Sequence, residues 1–184
     1  MIEKVFIPSF FLGASAVITF LAAMITLRTV SGNLTVREKL LRNRYFGAVT
    51  GGICLAVCAY YLELIFPMRI SGFWYYLSLI FTVLSFFQLD HLTSRAFSGL
   101  LIMSGYMLVH YTFEYQLTGQ PFFAVCGWLI GICGIWGSAL PWAWRDLLRK
   151  CAVKDAWKQG VFAVLLIAAL VLASAQILYL GKTL

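Results

Sequence analysis

The segment GVFAVLLIAALVLASAQILYL, residues 160–180, contains no charged side chain. A helix of about 17–25 residues crosses the roughly 30 Å hydrocarbon core of a bilayer, and this segment has that length. A β-barrel would show shorter segments of alternating hydrophobicity. Helices satisfy their own backbone hydrogen bonds in lipid, so the segment predicts a transmembrane helix.

Five other runs in the chain have a similar length and apolar character. The chain is 62% hydrophobic and 11% charged, against about 45–50% and 25% for an average soluble domain. We therefore predict an all-α integral membrane protein, a single transmembrane domain over residues 1–184 folded as a compact six-helix bundle. The predicted spans are residues 5–27, 45–66, 72–89, 96–113, 121–140 and 160–180. The first run exceeds the apolar region of a signal peptide, so we expect it to be retained.

The basic residues predict the direction of insertion. The connections after the first, third and fifth predicted spans, with their flanks, hold eleven basic residues, and the other side holds Lys4, Arg69 and Lys182. Basic loops stay in the cytoplasm, which predicts a multi-pass protein of the cytoplasmic (inner) membrane with both termini outside. This asymmetry accounts for the net charge of +7 without nucleic-acid binding.

Two basic connections predict short amphipathic helices on the cytoplasmic membrane surface. In residues 33–45, Thr35 and Glu38 have the spacing of a capping box. In residues 144–160, apolar side chains recur on one helical face. We expect the basic side chains of both segments to contact phosphates of anionic lipids or an acidic cytosolic partner. These residues are Arg37, Lys39, Arg42, Arg44, Arg145, Arg149 and Lys150.

The short connection between the third and fourth spans carries Asp90, His91 and Arg95. We interpret it as a cytoplasmic hairpin turn in which Asp90 caps the following helix and meets the positive end of its dipole. Arg95 is expected to pair with Asp90 or with a lipid phosphate. A proton relay or ligand site is the alternative interpretation.

The opposite ends of the second and fourth spans carry Glu63, Arg69, His110 and Glu114. His110 and Glu114 are four residues apart and therefore share a helical face. Ionisable residues within a span are costly, so these four are candidates for binding a proton, a small ion or another ligand. The competing interpretation is an interfacial belt with five nearby tyrosines, namely Tyr60, Tyr61, Tyr106, Tyr111 and Tyr115.

Small residues in the spans predict close helix packing. The second span contains a GxxxG pair and the fifth a glycine-lined surface, and both patterns let helix backbones approach. The contacts are either internal or between subunits. The residues are Gly47, Gly51, Gly127, Gly131 and Gly134.

The sequence lacks the motifs of the common hydrolases and of metal sites, and its five cysteines form no CxxC pair. His91 and His110 are about 28 Å apart on one helix and cannot ligate one haem iron. We therefore expect no metal or cofactor and assign no catalytic residue. The favoured hypothesis is a non-catalytic subunit or scaffold of a larger membrane assembly, formed with other subunits or further copies. The alternatives are a small oligomeric channel or carrier for protons or a small ion, and a lipid- or quinone-modifying enzyme.

Overall fold

A computed structural model describes residues 2–66, 72–88 and 91–183, and every regular element in these ranges is helical. A 3₁₀ turn, Ser31–Asn33, precedes the second α-helix. The α-helices are α1 Ile2–Leu27, α2 Leu34–Leu41, α3 Arg44–Ile65, α4 Phe73–Gln88, α5 Leu92–Glu114, α6 Gln120–Ala139, α7 Trp142–Val153 and α8 Asp155–Thr183.

Five helices are long and apolar enough to cross a membrane, so the chain is a multi-pass helical membrane protein. The crossing segments are Ser9–Leu27, Arg44–Glu63, Leu92–Glu114, Gln120–Ala139 and Asp155–Lys182. The predicted third span corresponds to α4, whose 16 residues extend about 24 Å at 1.5 Å per residue. Length and composition thus support five of the six predicted crossings.

Helix α5 lies at the centre of the bundle. In its apolar 18-residue segment, 67% of the residues are buried, against 22–39% in the corresponding segments of the other four long helices. It packs along α6 and α3 and also touches α1 and α8, which form a second close pair. Helix α4 packs on α3 and buries none of its residues.

Helices α3 and α5 run in the same direction. At one end, the Thr93 hydroxyl donates a hydrogen bond to the carbonyl of Asn43. At the other, the hydroxyls of Tyr61 and Tyr111 share a hydrogen bond. We call the first the basic end, because α2 and α7 lie there, and the second the tyrosine end. Helix α4 packs on α3 and runs antiparallel to it, from the tyrosine end to the basic end, where Phe86 lies against Tyr45.

Asn43 is the N-cap of α3. Its side-chain oxygen accepts from the backbone N–H of Tyr45 at 3.0 Å and of Phe46 at 3.3 Å. The predicted capping box on α2 is not present. Helix α2 starts at Leu34, which leaves Thr35 inside the first turn, and the Glu38 carboxylate binds Arg149 instead.

Helix α7 is the second of the two short amphipathic helices. It buries Cys151 fully and half-buries Trp144, Leu147 and Leu148, all on one side. The helical segment predicted over residues 144–160 is broken at Lys154, whose extended backbone ends α7 before α8 begins at Asp155. Trp157 therefore belongs to the same helix as the last transmembrane segment.

Candidate functional site

A cluster of tyrosines joins α3, α5 and α8 at the tyrosine end. Tyr61 and Tyr111 share a hydrogen bond through their hydroxyls, and Tyr111 is buried. The ring of Tyr179 lies 5.2 Å from that of Tyr111 and 4.9 Å from that of Tyr115, and Tyr179 is fully buried. The sequence analysis missed Tyr179, because a single tyrosine near the end of an aliphatic span gives no signal that it meets the others.

His110 and Glu114 lie within ion-pair distance of each other on α5, next to the tyrosine cluster. His110 Nε2 lies 3.1 Å from Glu114 Oε2, and the Tyr106 ring stacks on the imidazole at 5.7 Å with an interplanar angle of 6°. The two side chains are 43% and 48% exposed. The pair therefore lies on the outer surface of the bundle.

Glu63 lies on a different side of α3 from Tyr61, which contacts α5. It follows Tyr61 by two residues, about 200° around the helix, and its Oε1 accepts from the Gly72 N–H at 3.4 Å. Its Oε2 is buried and has no hydrogen-bond partner in the part of the chain that the structure describes. Within that part, no hydrogen bond or ion pair joins Glu63 to His110 or Glu114.

The four residues predicted as one ion or ligand site therefore lie in at least two places. Glu63 belongs to the α3–α4 junction, and His110 and Glu114 belong to the outer side of α5. Arg69 lies outside the described residues. The geometry supplies two carboxylates and one imidazole for proton binding but does not bring all three together.

The predicted hairpin turn lies at the basic end. His91 occupies the N-cap position of α5 with a left-handed backbone, φ 56°, and its side chain makes no capping bond. His91 Nδ1 and Arg95 Nε are buried and without a hydrogen-bond partner among residues 2–66, 72–88 and 91–183. Asp90, predicted as the cap, lies outside the described residues.

Helices α2 and α7 contact each other at the basic end. Arg149 donates to Glu38 through Nε at 2.6 Å and Nη2 at 3.4 Å. This bond and the charge of Arg149 lower the pKa of Glu38, and the carboxylate raises the pKa of Arg149. We call this contact the α2–α7 clasp. It links two surface helices that are far apart in the sequence.

The other basic residues named from the sequence lie at the same end. Arg145 Nε is 3.4 Å from Asp146 Oδ1, and Lys150 Nζ lies 5.2 Å from the centroid of the Trp157 ring. Lys39, Arg42 and Arg44 are exposed, and Arg37 lies within α2.

The glycines lie at contacts inside the bundle. A Cβ atom at Gly47 would lie 2.5 Å from the Thr93 backbone nitrogen, and one at Gly51 would meet Ala96 at 3.6 Å. On α6, Gly127 and Gly134 lie against the backbone of α5, and the Gly131 backbone lies against Gly105. Gly105 was not singled out from the sequence, because a lone glycine carries no repeat pattern.

Comparisons with protein-family models, curated proteins and solved structures each found no match. The described residues contain no group of three or more histidine, cysteine, aspartate or glutamate side chains suited to a metal ion. The five cysteines are free thiols, and Cys54 and Cys151 are buried. A functional conclusion therefore depends on the packing of the chain itself.

Proposed function

We propose that this protein is a non-catalytic membrane subunit or scaffold that crosses a cytoplasmic membrane six times, with its basic end in the cytoplasm. The observation that carries the proposal is the position of α4. In the described part of the chain, this apolar helix packs closely only on α3 and buries no residue, so it offers a whole face to a partner.

The directions of the neighbouring helices support a sixth crossing. Helices α3 and α5 are parallel, and each is long enough to cross the membrane. The chain between them must therefore return through the same thickness. Helix α4 is the segment available, because it runs from Gly72 beside Glu63 at the tyrosine end to Phe86 beside Tyr45 at the basic end.

Three buried hydroxyls of α5 favour a scaffold over a transport path, whereas those of Ser15, Thr19 and Ser94 are buried with no partner among the described residues. The hydroxyls of Ser98, Ser104 and Thr112 are buried on α5, and each donates to the backbone carbonyl four residues earlier. A hydroxyl bonded in this way has no proton left to donate to a passing solute, although its oxygen can still accept.

Photo-crosslinking from α4 tests the scaffold proposal. We would place a photoreactive residue at Leu79, which is 63% exposed on α4, and at Ile177, which is 69% exposed on α8, as the matched control. In native membranes, Leu79 should give a discrete crosslinked protein or dimer and Ile177 should not. Equal labelling from both positions, or lipid adducts alone from Leu79, would overturn the proposal.

Cysteine labelling at the two ends of α8 tests the direction of insertion. In a cysteine-free variant, single cysteines replace Lys154, just before α8, or Lys182, in its last turn, and both positions are exposed. A membrane-impermeant reagent added to intact cells should label position 182 and not position 154. The reverse pattern would place the basic end outside and contradict the proposed orientation.

The second candidate, a carrier or channel for protons or a small ion, is favoured by one observation. Glu63 has a buried carboxylate oxygen without a partner among the described residues, next to a membrane-spanning segment. Proton flux in proteoliposomes tests it. Glu63→Gln and His110→Ala should each reduce flux, and flux that is absent from the unaltered protein, or unchanged in both variants, dismisses the candidate.

A further inference from the structure

A long apolar groove opens on the surface of the bundle between α6 and α8. It has a volume of about 620 Å³, within the roughly 300–1,000 Å³ of ligand pockets. Leu101 and Leu165 are buried at its floor, and Cys133 and Val164 are exposed along its walls. Trp144 and Trp157 border it at the basic end. We call this the α6–α8 groove.

The groove follows the membrane normal for more than one leaflet. Its lining on α8 extends from Ala156 to Val171, which is about 22 Å at 1.5 Å per residue. One leaflet of hydrocarbon is about 15 Å, half of the roughly 30 Å core. A single extended acyl chain therefore fits within its length.

The packing of the bundle explains why the groove exists. Helix α6 is drawn to α5 by glycines, and α8 packs mainly on α1, so α6 and α8 make few contacts with each other. Gly160 widens the groove further. A Cβ atom at this position would have no heavy atom within 4 Å, and the residue lines the groove.

The basic end of the groove carries positive charge. Of the five basic residues in segment 145–158, three have a carboxylate partner: Arg145 with Asp146, Arg149 with Glu38 and Lys158 with Asp155. Lys150 and Lys154 have none in the described part of the chain. Lys150 Nζ lies 5.2 Å from the centroid of the Trp157 ring, and Trp157 lines the groove.

From this juxtaposition we infer that the α6–α8 groove binds an anionic phospholipid, with one acyl chain along the groove and the phosphate at Lys150. An apolar slot longer than a leaflet matches an acyl chain, and an ammonium without a carboxylate partner matches a phosphate. The inference requires a membrane-embedded bundle but is independent of the scaffold proposal, because it concerns a different face from α4.

Native mass spectrometry tests the acyl-chain part. The full-length protein is taken from bilayers with equal amounts of phosphatidylglycerol and phosphatidylcholine of matched chains, and the lipid that stays bound is measured. Gly160→Leu should weaken retention of phosphatidylglycerol several-fold, because the new side chain occupies space that the acyl chain fills and removes its dispersion contacts there.

Gly181→Leu is the matched control, because Gly181 is also an exposed glycine of α8 with open space around it but lies outside the groove. It should retain lipid as the unaltered protein does. If Gly160→Leu fails to fold, Cys133→Trp fills the groove from the opposite wall. Unchanged retention in a folded, groove-filling variant would overturn the inference.

Lys150→Gln tests the headgroup part, with Lys39→Gln on α2 as the control. Both lipids carry a phosphate but only phosphatidylglycerol has a net negative charge, so Lys150→Gln should reduce the preference for phosphatidylglycerol over phosphatidylcholine about fivefold. Lys39→Gln should leave the preference intact. Equal retention of both lipids by the unaltered protein, or an intact preference in Lys150→Gln, would overturn the assignment of the anionic headgroup to Lys150.

Discussion

Helix α6 contacts its two neighbours in opposite ways. Toward α5 it presents glycines, and a Cβ at Gly105 of α5 would lie only 2.6 Å from the Gly127 carbonyl oxygen. Toward α8 it presents larger side chains that border an open groove of about 620 Å³. The same helix therefore makes a close backbone contact in one direction and borders an open groove in the other.

The difference shows how a membrane protein sets helix spacing without help from water. Lipid tails are as apolar as leucine, so burying apolar area gains little, and close dispersion contacts decide which helices touch. Glycines permit such contacts between α5 and α6. Between α6 and α8 the bulk of side chains such as Trp136 and Leu129 prevents them, and lipid can fill the space.

Substitution of Gly105 should have the largest effect on this arrangement. In Gly105→Ala the new methyl group meets backbone atoms of Gly127 and Gly131, which cannot rotate away as a side chain could. We expect a loss of about 2–3 kcal/mol, the upper part of the range for overpacking. Thermal unfolding in detergent, followed by circular dichroism, measures it.

Gly131→Ala is the control on the facing helix, because a Cβ there has no heavy atom within 4 Å. Replacing a helical glycine with alanine at an open position should stabilise by about 0.5–1 kcal/mol. Equal destabilisation by both substitutions would mean that backbone contact does not hold α5 to α6.

At the tyrosine end, a polar contact and not a glycine contact joins two helices, α3 and α5. In Tyr111→Phe the hydroxyl of Tyr61 loses its partner inside the membrane, at a cost of about 1–2 kcal/mol. Tyr106→Phe on the same helix is the control, because Tyr106 is 45% exposed and should be near neutral. The double variant Tyr61→Phe/Tyr111→Phe should cost less than the two single changes together.

The helices could be predicted from the sequence because lipid imposes a length and a composition on each crossing segment. The contacts between them could not. Gly105 matters only because it meets Gly127 and Gly131, and Glu38 binds an arginine that is 111 residues further along the chain. Such pairs depend on the helix arrangement, which no local pattern encodes.

The candidate ionisable site was predicted too coarsely. Sequence proximity suggested that Glu63 and the pair of His110 and Glu114 belong together. Helical periodicity alone indicates that Glu63 and Tyr61 point in opposing directions, so the tyrosine that contacts α5 turns Glu63 toward α4. Applying the 3.6-residue period to α3 would have separated the two sites before the structure was known.

Trp144 lies where the close and the open sides of α6 meet. Its Nε1 donates to Ser98 Oγ of α5 at 2.9 Å, its ring packs on Phe97 at 5.2 Å, and it also lines the groove. Trp144→Phe keeps an aromatic ring but removes the donor, so we expect a loss of about 1 kcal/mol in thermal unfolding. Trp128→Phe, at a side chain that is 66% exposed, should change stability less, and the opposite order would contradict this role.

The smallest effect should come from the α2–α7 clasp, which fixes the helix that closes the basic end of the groove. Arg149 lowers the pKa of Glu38 below its ordinary value of 4.5. A group with a lowered folded-state pKa stabilises above its unfolded value and loses that contribution as the pH falls through the folded value. The clasp should therefore be intact at neutral pH and open at a pH well below 4.5.

Spin labels at positions 39 and 154, in a cysteine-free variant, report the distance between α2 and the end of α7. At neutral pH, Glu38→Gln should broaden this distance distribution as acid does in the unaltered protein, because both remove the charge that Arg149 binds. The charge-reversed pair Glu38→Arg/Arg149→Glu should restore the narrow distribution. Exposed ion pairs contribute little to global stability, so the unfolding temperature should hardly change. A distribution that is equally narrow in Glu38→Gln would show that apolar contacts of α7, and not the clasp, hold α7 in place.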